Sequence, residues 1–344
     1  MKKTSTKKRA SVLILVLIVI SNMTIIAVGL AYRTRVEIKL AHTSAQRVKT
    51  HYLALAGLQR CIAILSDSEL TAERTAVICR TGILNGKAKL FEQLKVKPNR
   101  QMQLLYWIKD EASLWDLNNS DSASWEDSDL VSREQRAGIL DWADADSDTN
   151  PDGAETDFYE NLESSYICKN GPFVSMKELL FVKGVTYDNY LGSLLNSELK
   201  QNLVGAEDGQ RLFEGDSVEE IGFVNLFTVF GDSKLNINTV SRQILSALPG
   251  LDEQVADTVL AYRYGPDGQD NTDDEIYFEN IESISQIEGL TQLQAELLQQ
   301  YCRFNSNTFR IFSFSNVRGY KCFLMATVKV TENKPQILCV ERLL

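Results

Sequence analysis

The densest chemistry in the chain lies between Asp141 and Glu155, DWADADSDTNPDGAE. Counted from Asp144, oxygen-bearing side chains stand at the first (Asp144), third (Asp146), fifth (Asp148), seventh (Asn150), ninth (Asp152) and twelfth (Glu155) positions. This is the ligand spacing of a twelve-residue calcium loop, and calcium is a hard cation that takes six to eight oxygens. So many carboxylates on one short loop repel one another unless a cation offsets them. Two positions depart from the pattern: Thr149 stands where such loops carry glycine, and Pro151 restricts the chain. The competing reading is a solvated acidic turn ahead of a helix that begins near Asp157. A second acidic loop, DGQDNTDDE, offers Asp267, Asp270, Asp273 and Asp274 as a further metal site, although its spacing matches no loop pattern.

Other chemistry is poorly served. The two histidines, His42 and His51, fall in one long helical stretch, and no Ser/His/Asp set or nucleophile elbow is present. The stretch from Gly82 to Lys87 has three residues between its glycines instead of four and no Ser or Thr after the lysine, so it reads as a turn and not a phosphate loop. A carboxylate-pair hydrolase would need a pocket that nothing in the sequence marks, and the chain is expected to be non-enzymatic. The six cysteines include no CxxC pair. Cys322 and Cys339 are the candidates for a disulfide across a hairpin, with buried free thiols the alternative.

The element that must carry all of this begins at the N-terminus. Ala10 to Ala31 is a run of 22 residues without a charge, preceded by Lys2, Lys3, Lys7, Lys8 and Arg9. At about 1.5 Å per residue it is long enough to cross a hydrocarbon core of about 30 Å. The basic flank marks the cytoplasmic end, which places the body outside the cytoplasm. A secretory signal peptide ending at Gly29-Leu30-Ala31 is one reading. The other is a helix that continues from the bilayer into solution through Leu65, because apolar or small residues recur at Ala41, Ala45, Val48, Tyr52, Leu55, Ile62 and Leu65, with Leu58 beside them. That face is expected to receive a sheet around Val48, Tyr52 and Leu55. Beyond the anchor, residues 36–344 hold 29 basic against 46 acidic side chains, a net of −17, which repels phosphate backbones.

A short basic leader, Ala10, the uncharged start Ser11-Val12-Leu13-Ile14-Leu15 and an amphipathic continuation together resemble type IV pilin and pseudopilin precursors. The resemblance implies cleavage by prepilin peptidase between Ala10 and Ser11. It departs from the usual pattern in having Ala10 for glycine before the cut and Leu15 where most members carry glutamate. A carboxylate at that depth is costly without a partner, and a subunit with nothing ahead of it in the filament has no use for one. The missing glutamate, together with AYRTRVEIKLA and YLALAGLQR, resembles the general secretion pathway protein K family, the large minor pseudopilins of type II secretion. Membership implies a single-pass inner-membrane protein with its N-terminus cytoplasmic and its body periplasmic, placed at the pseudopilus tip in support of protein export across the outer membrane. Its implied partners are other minor pseudopilins, met through the N-terminal helix and the pilin-like domain, together with prepilin peptidase and the inner-membrane secretion platform. DWADAD followed by GAE also resembles a recurrent segment of that family in which calcium is implied, a carry-over that touches Asp144, Asp146 and Glu155 most directly.

A repeat follows. Ser175 to Val185, Ser241 to Leu251 and Asn280 to Leu290 share one frame: a capping residue, apolar residues four and seven later, a glycine at plus nine (Gly184, Gly250, Gly289), then an apolar residue. Thr186, Asp252 and Thr291 follow as caps for a second helix. These units resemble helix-hairpin-helix modules, many of which bind DNA phosphates through a Gly-x-Gly turn. Here the second glycine is Thr or Asp each time, and the units are neutral to acidic, which argues against nucleic acid and for packing. A membrane-anchored extracytoplasmic helix-hairpin-helix DNA receptor of the competence type is the alternative function, and it calls for a basic body.

The remaining stretches complete the plan. Ser66 to Lys97 is mixed, and Gln101 to Leu117 reads as strands around a polar turn at Lys109 to Ala112. Asn118 to Asp129 reads as an exposed connection. Thr308 to Ser315, Tyr320 to Val330 and Gln336 to Arg342 read as an antiparallel meander. The expected fold is α+β: a long N-terminal transmembrane helix packed on an antiparallel pilin-like sheet, with an inserted all-α domain of helix-hairpin-helix-like repeats. The corresponding divisions are a leader over 1–10, a transmembrane helix over 11–32, a first pilin-like part over 33–128, the insertion over 129–302 and a second pilin-like part over 303–344.

Overall fold

The computed structural model of the 344-residue chain describes residues 5–66, 70–80, 84–85, 102–118, 125, 128, 130–192, 221–268 and 274–343. Its first element, α1, is one unbroken helix over Ser5–Ser66, 62 residues and roughly 90 Å at helical rise. No proline or interior kink site interrupts it, and its apolar N-terminal half is long enough to cross a membrane, with none of that span buried against the rest of the chain. The secretory-peptide reading predicts a break near Tyr32; the helix runs through it.

A five-stranded antiparallel sheet receives the other half of α1. In chain order its strands are β1 (Leu84–Asn85), β2 (Met102–Asp110), β7 (Thr308–Val317), β8 (Tyr320–Thr331) and β9 (Lys334–Arg342), and they lie side by side in that order. Two tight turns set the meander: Arg318-Gly319 and Glu332-Asn333 each have positive φ at both central residues, the type I′ signature. β2 pairs with β7 from Met102 opposite Val317 to Asp110 opposite Phe309, so the chain leaves the sheet after Asp110 and returns beside its own exit some two hundred residues later. Short elements fill the interval: β3 (Trp115–Asp116) is paired with β4 (Phe227–Thr228), and β5 (Leu235–Asn236) with β6 (Cys302–Arg303). Between them lie helices and 3-10 turns, so the stretch expected to be all-α is mainly helical but also holds β4 and β5, each pairing in parallel with a strand at the edge of the interval.

Both faces of the sheet are buried. Leu104, Tyr106, Ile108, Phe309, Ile311 and Val328 pack with Leu53, Leu58, Cys61 and Leu65 of α1. On the opposite face Leu105, Trp107, Phe312, Phe314, Phe323 and Met325 join the core of the helical segment. Trp107 stacks on Phe312 with ring centroids 4.9 Å apart.

The face of α1 that meets the sheet differs from the one expected. Of the three residues expected to face it, Leu55 is half-buried beside Cys322 and Leu324, whereas Val48 and Tyr52 are exposed; the buried positions are Gln46, Thr50, Leu53, Ala54, Gly57, Leu58, Cys61 and Leu65. Close approach, not bulk, selects this face. Ser313 Oγ donates to the carbonyl of Ala54 and Ser315 Oγ to that of Thr50, each at 2.7 Å, so two strand hydroxyls bond directly to the helix backbone. A Cβ on Gly57 would overlap Ser313 Oγ and lie 3.0 Å from Leu104 Cδ1. Gly57→Ala is therefore expected to destabilise the body by about 1–3 kcal/mol through overpacking, read as a lower urea midpoint at unchanged slope.

Three further expectations are corrected and one open alternative is decided. The polar turn after β2 starts later, because Lys109 and Asp110 remain in the strand and Glu111–Ser113 forms a buried 3-10 turn. These polar residues stay inside because each finds a partner. Arg310 makes a bidentate pair with Glu111 at 2.9 and 2.7 Å, and Thr327 Oγ1 donates to Glu111 at 3.0 Å. Both members of the pair are buried, at 0 % and 1 % side-chain exposure. Arg310 also donates to the carbonyl of Val224, and Lys109 Nζ to that of Asn225 at 2.9 Å. Burial, then the neighbouring Arg310, pulls the Lys109 amine down to about 7. Asp110 is bonded by Ala112 N, Asn236 and Thr239, at 2.7–2.9 Å, and burial raises its carboxyl. In the stretch expected to be an exposed connection, the described residues Trp125 and Ser128 are buried, Trp125 edge-on to Phe227. Of the two readings of Cys322 and Cys339, the free-thiol one is found: the register sets Cys322 opposite Ser315 and Cys339 opposite Thr327, and all six thiols are free. The mixed stretch before β2 contains α2 (Ala72–Arg80), and within the expected Gly82–Gly86 turn Leu84 and Asn85 form β1, the flanking glycines lying outside the described residues.

Each unit of the repeat has its capping residue in place. Ser175 caps a 3-10 segment (Met176–Phe181), Ser241 the helix Arg242–Ser246 and Asn280 the helix Ile281–Ile284. Thr186, Asp252 and Thr291 cap the following helices Tyr187–Leu191, Glu253–Tyr264 and Gln292–Tyr301. Between them Gly184, Gly250 and Gly289 have φ of 79°, 78° and 95°, a left-handed backbone that a side chain would strain.

Candidate metal centre

The acidic loop is held between two helices. α3 (Arg133–Ala143) starts on a capping box built by Ser132 and Gln135 and stops at Asp144, whose N–H closes the last turn on Leu140 O at 3.0 Å. Asp141 and Asp144, three residues apart, therefore project from the same side of its C-terminal turn, where the helix dipole favours a cation. α4 (Thr156–Glu160) follows the loop with Glu155 as its N-cap, and the Glu155 side chain makes no capping hydrogen bond.

The three carboxylates converge. One oxygen from each of Asp141, Asp144 and Glu155 lies within 4.8 Å of the others. Two ligands on opposite sides of one calcium, each at about 2.3–2.6 Å, would be about 4.6–5.2 Å apart, so the spacing suits a shared hard cation. Asp141 and Glu155 are buried and Asp144 is half-buried. Asp141 Oδ2, Asp144 Oδ1 and both carboxylate oxygens of Glu155 are buried without a hydrogen-bond partner. Buried polar oxygens are normally satisfied, and a cluster of carboxylate oxygens left open suits a cation. Burial first, then the neighbouring carboxylates, raise the Asp144 and Glu155 carboxyls above their ordinary range. Asn170 borders Glu155, and its Oδ1 is likewise buried without a partner.

The rest of the predicted ligand set is elsewhere. Asp146, Asp148 and Asp152 are exposed, and Asp146 Oδ1 accepts from Asp148 N at 2.9 Å in a local turn. Asn150 donates through Nδ2 to Asp141 Oδ1 at 2.6 Å, and so supports the cluster from behind. The loop does not wrap a ring of six side chains, because Thr149 and Pro151 supply neither the glycine turn nor the backbone freedom that such a ring needs. Asp141 and Asn170 are the members that linear spacing passes over. Helical phase would have found Asp141, one turn before Asp144; Asn170 is brought in only by the fold.

Gly153 is required by the same geometry. A Cβ there would overlap Asp141 Oδ2. Gly153→Ala is expected to push that carboxylate out of the cluster and weaken calcium binding about tenfold or more. Isothermal titration calorimetry reads this, with unchanged far-ultraviolet circular dichroism as the control.

At the second acidic loop, Asp267 N donates to Asp274 Oδ2 at 3.0 Å, and Asp270 and Asp273 lie outside the described residues. Leu15 is an exposed residue of α1; Ala10 and Ser11 lie within the same helix, their side chains outside the described set.

Residues 127–192, which span α3, the acidic loop and the first capped unit, match the family model for type II secretion system (T2SS), protein K. No curated protein sequence matches the chain. Among solved structures, a chain of the GspK-GspI-GspJ complex from the type 2 secretion system of enterotoxigenic Escherichia coli is similar at 13 % identity and a TM-score of 0.48, over 90 % of this chain and 99 % of that one.

Proposed function

Because the chain belongs, through residues 127–192, to the protein K family of type II secretion, we propose that it works as a non-enzymatic minor pseudopilin at the tip of the pseudopilus, supporting export across the outer membrane. The observation that carries the proposal is α1, which is both the apolar span and, without a break, the helix bonded to the sheet through Ser313 and Ser315. A subunit built in this way transmits force from the bilayer to its body along a single covalent rod. Prepilin peptidase removes residues 1–10, and the inner membrane holds the helix with the body in the periplasm. Other minor pseudopilins pack along α1 and the sheet, while the inner-membrane platform supplies the push. Leu15 in place of a glutamate leaves no charge to recruit a subunit ahead. The segment between β2 and β7 is an inserted helical domain whose repeated capped units are helix-hairpin-helix-like packing modules.

Calcium is the cation for Asp141, Asp144 and Glu155, and braces that domain by tying the end of α3 to the start of α4. When bound it supplies charge neutralisation.

The DNA-receptor reading loses support at Arg242, the half-buried arginine of the second unit. Arg242 is held by Asp257 at 2.5 and 3.0 Å and by Glu253 at 3.0 Å, so it does not face outward for phosphate. Mass spectrometry of the mature N-terminus from cells that carry the secretion system tests the assignment. Ser11 is the expected first residue, whereas Tyr32 would make the chain an ordinary secreted protein and end the reading.

A further inference from the structure

Beside the carboxylate cluster the chain exposes an aromatic surface that its own fold leaves uncovered. The rings of Phe158, Tyr159, Tyr166 and Phe181 form a connected series, with successive centroids 5.3, 5.2 and 5.6 Å apart. Tyr159 is fully buried beneath them, and the Tyr166 hydroxyl donates to the carbonyl of Phe181 at 2.7 Å, so the outer rings sit on a rigid base. Phe158, Leu162, Ile167 and Phe181 nonetheless remain 40 %, 37 %, 68 % and 52 % exposed. Leu162 follows α4 and Ile167 adjoins Tyr166 in the chain, so apolar exposure is gathered along one segment around these rings, and such exposure marks a docking surface where isolated side chains do not.

Charge identifies the occupant. The segment that carries Phe158 and Leu162 is acidic: Asp157 and Glu160 lie on α4 and Glu163 just beyond it, all three exposed and without an ion pair among the described residues. The nearby lysines are already committed. Lys183 donates to the carbonyls of Asp152 and Gly153, each at 3.1 Å, and lies over the Phe158 ring, while Lys169 pairs with Glu178 at 2.6 Å. We propose that this face docks an amphipathic, basic segment of another protein, its apolar side chains seated on Phe158, Leu162, Ile167 and Phe181 and its Lys or Arg residues on Asp157, Glu160 and Glu163. The inference stands apart from the secretion assignment, because it depends on this surface alone. Acidic groups beside apolar anchors give partner choice and on-rate, and the buried aromatic centre gives affinity.

The test uses the full chain in zwitterionic nanodiscs, with empty nanodiscs as the blank. The probe is a fluorescent helical peptide of leucine, lysine and alanine, with its leucines on one face, against the same peptide with every lysine changed to glutamate. The lysine peptide is expected to bind saturably and to weaken as salt rises, and the glutamate peptide to show no binding. Leu162→Ser with Ile167→Ser, and separately Asp157→Lys with Glu160→Lys, are each expected to weaken binding about tenfold or more at an unchanged melting temperature. Equal binding of the two peptides, binding indifferent to both variants, or no binding at all would overturn the proposal. Self-association of the chain abolished by the same variants would also overturn it, by giving the face to a second copy. So would partition onto anionic vesicles lost in them, which would give the face to lipid.

Discussion

Glu111→Gln is expected to cost about 3–5 kcal/mol of folding stability, a large share of the total for a domain held by about 5–15 kcal/mol. The substitution keeps the shape of the side chain and removes its charge, which leaves the Arg310 guanidinium buried at 0 % exposure with no counter-ion. Arg310→Met strands Glu111 in the same way and also removes the donor to Val224 O, loosening the carbonyl contact between β7 and the segment that follows residue 220. Replacing both with apolar residues of similar volume is expected to recover most of the loss, because the penalty lies in the unpaired charge and not in the missing attraction. Urea unfolding followed by fluorescence reads all three, since Trp107 and Trp115 are both buried in the core on that side of the sheet. A single-substitution cost below about 1 kcal/mol would mean that the pair does not hold the two layers together.

The second large effect is calcium dependence, and its sign can be worked out. Without a cation, the Asp144 and Glu155 carboxyls are raised, by burial first and then by neighbouring carboxylates: Asp146 and Asp141 beside Asp144, Asp144 and Asp141 beside Glu155. The folded apo chain therefore binds more protons than the unfolded chain between the ordinary carboxylate range and the raised values. Over that window its stability falls as pH rises, and the destabilisation is fully present above the raised values. Calcium should reverse this: at a free concentration about a thousandfold above its dissociation constant, binding to the folded state alone adds about 4 kcal/mol. Differential scanning calorimetry in chelator and in calcium, across pH, should show a gap that is widest near neutrality and narrows toward acid. Glu155→Gln provides the sharper check. In chelator it is expected to be more stable than the parent, because a repelling charge is gone, and in calcium less stable, because a ligand is gone. Equal destabilisation under both conditions would make Glu155 a structural residue and remove the case for an ion.

Much of the scaffold was legible in advance because its signals are local. An uncharged run that passes without proline into an amphipathic stretch describes one helix. Alternating β-branched and aromatic residues between turn residues describe the meander over β7, β8 and β9. Ser, Thr, Asp or Asn ahead of an apolar pattern and a glycine nine residues on describe a capped helix and its left-handed end. Each depends on a few neighbouring residues, and the same torsional and hydrogen-bond preferences operate in the chain wherever it is packed.

What escaped prediction depends on neighbours distant in the chain. Hydrophobic periodicity points to Val48 and Tyr52 as the inner face of α1, yet Ser313 and Ser315, more than 250 residues away, bond the helix backbone on the side of Thr50, Ala54 and Gly57. Lys109 to Glu111 look like a solvent turn until Arg310, Thr327, Asn236 and the carbonyl of Asn225 are placed around them. The acidic loop is the mixed case: its composition announces a cation, and its linear spacing proposes six ligands. Which oxygens meet follows from where α3 stops and α4 starts, so that Asp141 joins while Asp146, Asp148 and Asp152 face water. Local order along the chain thus sets what each segment is. The pairing of buried charges, the facing of the helix and the membership of the carboxylate cluster are settled by contacts between segments, because an unsatisfied buried group costs more than any local preference returns.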